Sequence, residues 1–398
     1  MEDKQLIHEK LAQAVQILEE IGLDIWLTFV RETAMQPDPA LELIFGGDLT
    51  WQSAFLVSRT GETIAIVGHF DSANLHELGV YTKVIGYHEG LRDHLVSELD
   101  RLQPRSIAIN YSAVDVSADG LSHGMYLNLL QHLEGTSHQE KLVSAEQVLF
   151  KLRGRKSATE VARIRQAITT TEQLFDEVEQ FAKPGMTQRD IADFVHQRMD
   201  AMGLDYAWPK PFNPIVTCGP DSNVGHAAPG DVVLQKGHLL HMDLGVRQNG
   251  YSSDLQRMWY VLDDGETEAP PEVQRAFQVV AGAIVTGGDF LKPGTPGWKV
   301  DEVAREYIVD HDYPEYMHAF GHMMGRVAHD GGTVLGPRWE RYNGACDLAV
   351  EVDNIFTLEL HVMVEGRGMM SLEEDVLVTD QGLEYLSNPQ QTLRLIVT

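Results

Sequence analysis

The stretch that decides the fold runs from His238 to Tyr260: HLLHMDLGV at 238–246, RQNG at 247–250 and YSSDLQRMWY at 251–260. Asn249-Gly250 between two strand-like runs is a strong signal for a two-residue hairpin turn. With those two residues as the loop, Gln248 faces Tyr251, and counting outward sets Asp243 opposite Gln256. Residues opposite one another share a face, as do residues two apart along a strand. Asp243 and Asp254 then become diagonal neighbours on one side of a sheet. An odd-length loop would put them on opposite sides, so the inference hangs on the register. Two carboxylates aimed at one spot raise each other's pKa and cost stability. A divalent cation is the simplest remedy; a wet sheet surface is the plain alternative.

Further acids and imidazoles follow downstream. His318-Ala319-Phe320-Gly321-His322-Met323-Met324-Gly325 precedes His329-Asp330. The spacing of His318 and His322 mimics one helical face of a zinc protease, but the general-base Glu of that motif is missing. Gly321, Gly325, Gly331 and Gly332 argue against a helix and for a strand or loop that brings backbone close to a site. Phe356–Val364 alternates cleanly, with Phe356, Leu358, Leu360, Val362 and Val364 on an apolar face and Thr357, Glu359 and His361 on the other. Glu373-Glu374-Asp375 opens another strand-like run, which taken alone reads as a charged edge strand.

Upstream, Leu6, Ile7, Leu11, Ala14, Val15, Leu18 and Ile21 form the apolar stripe of a helix that Gly22 ends. Strand-like runs at Ile25–Phe29, Ser53–Val57, Thr63–Gly68, Lys83–Tyr87 and Ser106–Asn110 follow, with helical stretches near Leu91–Leu102 and Met125–Leu133. Residues 1–150 therefore read as a smaller α/β domain. Val30–Leu49, with Pro37, Pro39, Gly46 and Gly47, reads as a long surface loop, and the basic run 151–157 as a solvated linker. A second domain, 157–398, opens with a helix from Ala158 to Phe181. Lys183-Pro184-Gly185 stops it, and Thr187 with Asp190 caps a second helix through Met202. Its later part groups helices apart from a largely antiparallel sheet, an α+β arrangement.

Composition bounds the function. The 398-residue chain carries 31 Lys+Arg against 59 Asp+Glu, a net charge of −28. Such a charge disfavours sequence-general nucleic-acid binding and docking on anionic lipid. Two cysteines, Cys218 and Cys346, make no disulfide framework. No signal-like leader or 18-residue apolar run occurs, so a cytoplasmic protein without membrane or nucleic-acid partners is expected.

The ordered set Asp243, Asp254, His322, Glu359, Glu374 resembles that of the creatinase/methionine-aminopeptidase superfamily, the M24 "pita-bread" metallopeptidases, and within it the two-domain Xaa-Pro peptidases. Met242-Asp243-Leu244-Gly245 with Asp254 eleven residues on, Gly321-His322-Met323-Met324-Gly325, Thr357-Leu358-Glu359 and Glu374-Asp375 carry the resemblance, with Lys183-Pro184-Gly185-Met186-Thr187 as the domain opening. It covers residues 157–390 well and is loose over the first 150. It implies a pita-bread catalytic domain behind a creatinase-type N-terminal domain. It also implies two divalent metal ions, with Mn²⁺ or Co²⁺ suited to the oxygen-rich ligands and Zn²⁺ or Fe²⁺ possible alternatives.

In that resemblance Asp243 chelates one ion, Asp254 and Glu374 bridge, and His322 and Glu359 hold the other. His226, His318 and His329 match the histidines that position substrate and stabilise the tetrahedral intermediate, and Glu359 doubles as proton shuttle. The implied reaction is hydrolysis at an Xaa-Pro junction, by a dipeptidase or aminopeptidase, with a metal-bridging hydroxide as nucleophile; a homodimer is the implied assembly. Two departures bear on proline specificity. Proline-specific members carry Arg two residues before the last Glu ligand, where this chain has Leu372, and Pro-Gly after the Thr-x-Glu run, where it has Leu360-His361. Arg367 is a candidate replacement. These departures keep open a hydrolase or lyase of a small non-peptide metabolite; intact ligands disfavour a non-catalytic module.

Overall fold

The structure, a computed structural model, describes residues 4–397. Met1, Glu2 and Asp3, on which the expectation of no signal-like leader partly rests, lie outside the described residues. The chain divides into two compact units between Ser157 and Ala158.

In the first unit, β1 (Ile25–Val30), β2 (Ser53–Ser58), β3 (Thr63–Gly68), β4 (Lys83–Tyr87), β5 (Ile107–Ile109) and β6 (Leu142–Ser144) form one sheet ordered β4-β3-β2-β1-β5-β6. One core holds Ile7, Leu11 and Leu18 of the helix Lys4–Ile21; the other holds Leu95 and Leu99 of Arg92–Leu102 and Leu129 and Leu133 of His123–Leu133. With both faces covered, the central strands are continuous apolar runs such as Ala54-Phe55-Leu56-Val57.

Two expectations fail here. Residues 30–49 are not simply a surface loop: Ala40, Leu41, Leu43, Ile44 and Leu49 are buried, and Leu41–Ile44 is a short helix. Their apolar side chains draw the segment onto the core. Nor is 151–157 a solvated linker. The helix Glu146–Gly154 buries Leu152 and Arg153, whose guanidinium donates to the Pro39 carbonyl, and the buried Lys156 ammonium donates to the Arg153 carbonyl. Long cationic stems pack like hydrocarbon when their heads find acceptors.

The second unit opens with helices Ala158–Phe181 and Gln188–Met202, the latter started by the reciprocal Thr187/Asp190 capping box. Strands β7 (Asp205–Tyr206), β8 (Ile215–Cys218), β9 (Leu239–Leu244), β10 (Val246–Gln248), β11 (Tyr251–Ser252) and β12 (Leu255–Val261) follow. The hairpin register is the one the Asn249-Gly250 turn demands: Gln248 pairs with Tyr251 and Asp243 with Gln256. Asn249 and Gly250 both hold positive φ, 53° and 77°, as a primed two-residue turn requires.

Helices Pro271–Phe290 and Gly297–Asp310 lead to β13 (Gly321–His322), β14 (Val334–Leu335), β15 (Ile355–Val364), β16 (Gly368–Thr379), β17 (Gly382–Tyr385) and β18 (Arg394–Ile396). The main sheet runs β15-β16-β12-β9-β8, with β17 beside β16 and β18 parallel to β12. Its outer face meets the helices: Phe356, Leu358, Leu360 and Val362 share a core with Phe277, Val280 and Ile284. Strand β16 lies inside the sheet, between β15 and β12. Its acidic run is therefore not an edge-strand guard, and Glu373, Glu374 and Asp375 are all buried.

Candidate metal centre

Four side chains stand in a row across the inner face of this sheet. Asp243 on β9 is in register with Gln256 on β12, Gln256 with Glu373 on β16, and Glu373 with Glu359 on β15. Directly opposed residues share a face, so three carboxylates and one amide project to the same side. Asp254, two residues before Gln256, joins them, close enough to Asp243 for their charges to repel. His322, on β13, closes the group: its Nε2 lies 3.8 Å from Asp254 Oδ2 and 3.8 Å from Glu359 Oε1. Ligand atoms of Asp254, His322 and Glu373 fall within 4.8 Å of one another.

Glu374, expected from the sequence as the last metal ligand, is not in this group. It is opposite Leu358, on the other face of β16. Its carboxylate accepts from Arg257 at 3.0 Å, from Ser387 at 2.6 Å and from the Gln390 backbone at 3.0 Å. Side chains alternate along a strand, so neighbours 373 and 374 cannot both face the site. Glu373 takes the place assigned to Glu374. The signal was present: the Val364–Gly368 hairpin closes through three residues, Glu365-Gly366-Arg367, and that register pairs Glu359 with Glu373.

Burial makes the group electrostatically tense. Desolvation first, then mutual repulsion, pushes Asp243, Asp254 and Glu373 well above the usual carboxylate range. Burial raises Glu359 to about 7 and lowers His322 to about 3. Asp243 Oδ1 is buried and, among the described residues, accepts no hydrogen bond. Four carboxylates with one neutral imidazole and an orphaned oxygen are the donor set of a pair of hard-to-borderline divalent ions, whose charge of +4 would balance −4. The residues fit that cofactor.

The centre floors a cavity of about 620 Å³. His226 and His329 line it with the acids, and the His329 ring stacks on His322 at 4.0 Å between centroids. His318 does not line it; its Nε2 meets His361 Nδ1 at 3.1 Å, and its Nδ1 faces the Ala319 carbonyl. An apolar wall of Trp208, Pro209, Phe212, Ile215, Val327 and Ala328, none singled out from sequence, completes the lining. No lysine or arginine is part of it among the described residues. Arg367, the candidate replacement cation, instead donates to the Gly237 carbonyl and Tyr260 hydroxyl and pairs with Glu272.

The chain is similar to known proteins over its whole length or its second unit. Uncharacterized peptidases of Staphylococcus aureus are 27% identical over 238 residues, 60% of this chain and 63% of theirs. An X-Pro aminopeptidase from Thermotoga maritima superposes with a TM-score of 0.71 at 23% identity, covering 97% of this chain and 99% of that one. An Xaa-Pro dipeptidase from Bacillus anthracis gives 0.73 at 20% identity, covering 98% and 99%. At these identities the superpositions establish the two-domain fold. No helix among the described residues is long and apolar enough to cross a membrane. The model of metallopeptidase family M24 matches residues 162–380, which hold every member of the centre, and the chain belongs to that family.

Proposed function

We propose that this protein is a dinuclear-metal hydrolase that cleaves the peptide bond of short peptides at an Xaa-Pro junction. The observation that carries the reading is the convergence of Asp243, Asp254, His322, Glu359 and Glu373 on the floor of one cavity with histidines on its wall. In this reading Asp243 would hold one ion, His322 with Glu359 would hold the other, and Asp254 and Glu373 would serve both. Two such ions supply Lewis acidity and water activated at neutral pH. The protein's own groups do the rest. The apolar wall seats a substrate side chain and excludes water. His226 and His329 donate to the developing oxyanion or to the leaving nitrogen. Glu359 carries the proton between water and leaving group. His318, which meets His361 and does not line the cavity, is given no role in the reaction.

Counted from Glu373, the position where proline-specific members carry Arg is Ser371. Together with a lining free of cations, this favours a substrate whose carboxyl end is already amidated by a further residue, and it supports the second reading, a neutral small-molecule substrate. The test is a metal-stripped sample reloaded with Mn²⁺, Co²⁺ or Zn²⁺ and assayed on an Xaa-Pro dipeptide, a longer Xaa-Pro peptide and an Xaa-Ala control. Metal-dependent cleavage confined to the proline peptides, with the longer Xaa-Pro peptide preferred over the dipeptide, is the expected result. Bound metal with no cleavage of any of them would transfer the assignment to a non-peptide substrate.

A further inference from the structure

Gln256 stands at the centre of the carboxylate row and is itself uncharged. It is buried, and all of its hydrogen-bonding capacity is used. Nε2 donates to Glu359 Oε2 at 2.9 Å and to Glu373 Oε2 at 3.0 Å. Oε1 accepts from the Ser371 hydroxyl and meets His241 Nε2 at 2.9 Å. A flipped amide would set its oxygen against two carboxylates, so one orientation is enforced. That orientation requires the proton of His241 on Nε2, leaving Nδ1, which is buried with no hydrogen-bond partner among the described residues.

The consequence is a sorting of oxygens. In each of Glu359 and Glu373, Oε2 is tied to the amide, which leaves Oε1 for other partners. Glu359 Oε1 is indeed the oxygen on the His322 side. We infer that Gln256 is the positioning residue of the metal centre: its amide, oriented by Ser371 and His241, fixes which oxygen of Glu359 and of Glu373 is presented to the ions. This rests on the dinuclear reading of the site and goes beyond it. A primary amide is suited to the task. It gives two donors from one atom, and it adds no charge to a cluster that already repels itself.

The test replaces Gln256 with Met, which keeps the length and removes both donors. Mn²⁺ binding to the metal-stripped full chain is measured by titration calorimetry, and the ligand field by visible absorption of the Co²⁺-loaded protein. Loss of an outer hydrogen bond to a ligand typically weakens a metal site by about tenfold to a hundredfold. Q256M is expected to lose Mn²⁺ affinity by that factor and to change the Co²⁺ spectrum even at saturation, which a purely structural residue would not do. Ser371→Ala, which frees the amide to turn, is expected to shift both readouts in the same direction by less, and Ser371→Thr to restore them. Ser371→Ala decides the matter if Q256M does not fold. Wild-type affinity and an unchanged spectrum in the variant would overturn the positioning role while leaving the dinuclear reading standing. A wild-type chain that takes up no Mn²⁺ would overturn both, and one that binds metal without cleaving Xaa-Pro peptides would overturn only the substrate.

Discussion

Arg257 and Glu374 form a buried pair whose side chains are 2% and 3% exposed, and Ser387, Gln390 and the Asn388 carbonyl complete its hydrogen bonds. One residue earlier, Glu373 faces the metal centre, where its charged neighbours are the carboxylates of Asp254, Glu359, Asp243 and Asp375. The two neighbouring glutamates therefore fail in different ways. Glu374→Gln takes away Arg257's 3.0 Å partner charge and leaves it only the carboxylate of Glu172 at 3.8 Å, and breaking a buried pair costs about 3–5 kcal/mol. It should lower the midpoint of denaturant unfolding while the metal content of the folded fraction stays at the wild-type value. Glu373→Gln should do the reverse, removing a ligand and with it metal uptake and turnover, while relieving repulsion in the metal-free fold. Metal analysis beside unfolding curves separates the outcomes. Metal loss in the Glu374 variant rather than the Glu373 variant would contradict the register.

At the scale of elements, the sequence was legible wherever period and turn chemistry agreed. Asn249-Gly250 placed Asp243 opposite Gln256, and the helix read from Ala158 to Phe181 spans those same residues in the structure. The helix His69–Leu78 escaped because only Leu75 and Leu78 are buried on it, too few to show a period. The choice between Glu373 and Glu374 needed the three-residue turn at 365–367. The cavity wall at 207–215 is largely irregular backbone, whose apolar residues gather through tertiary packing that no periodicity announces. Gly321 shows how tightly the elements meet: a Cβ there would lie 2.0 Å from the Thr357 carbonyl oxygen. Backbone cannot yield as a flexible side chain can, so Gly321→Ala must push β13 off β15 and carry His322 with it. Overpacking of this kind costs about 1–3 kcal/mol. The variant should therefore melt lower and also bind Mn²⁺ more weakly. Unaltered affinity would mean that His322 is held independently of its strand.

For the molecule as a whole, the metal centre sets how stability depends on pH. In the unfolded chain its carboxylates titrate near 3.8 and 4.5, whereas in the fold Glu359 rises to about 7 and Asp243, Asp254 and Glu373 rise well above the usual range. Above those unfolded values the metal-free native state holds protons that the unfolded chain has released. Its stability must then fall as pH rises through the folded values. His322, His361 and His241 act with the opposite sign. Burial lowers them to about 3, 4 and 4 from 6.5, so their contribution is lost only as pH falls below 6.5. Between 4.5 and 6.5 the two groups oppose each other; above 6.5 the histidines are neutral in both states and the raised carboxylates, the buried Asp375 among them, set the slope. Metal-stripped protein should thus melt progressively lower from about pH 6.5 to about pH 8. Saturating Mn²⁺ requires those carboxylates ionised and binds only the native state, so it should raise the melting temperature by an amount that grows over the same interval. Thermal melts with chelator and with Mn²⁺ at three pH values in that window measure both slopes. A metal-free melting temperature that holds level or climbs with pH would mean that the acids are not gathered as Asp243, Asp254, Glu359 and Glu373 are here.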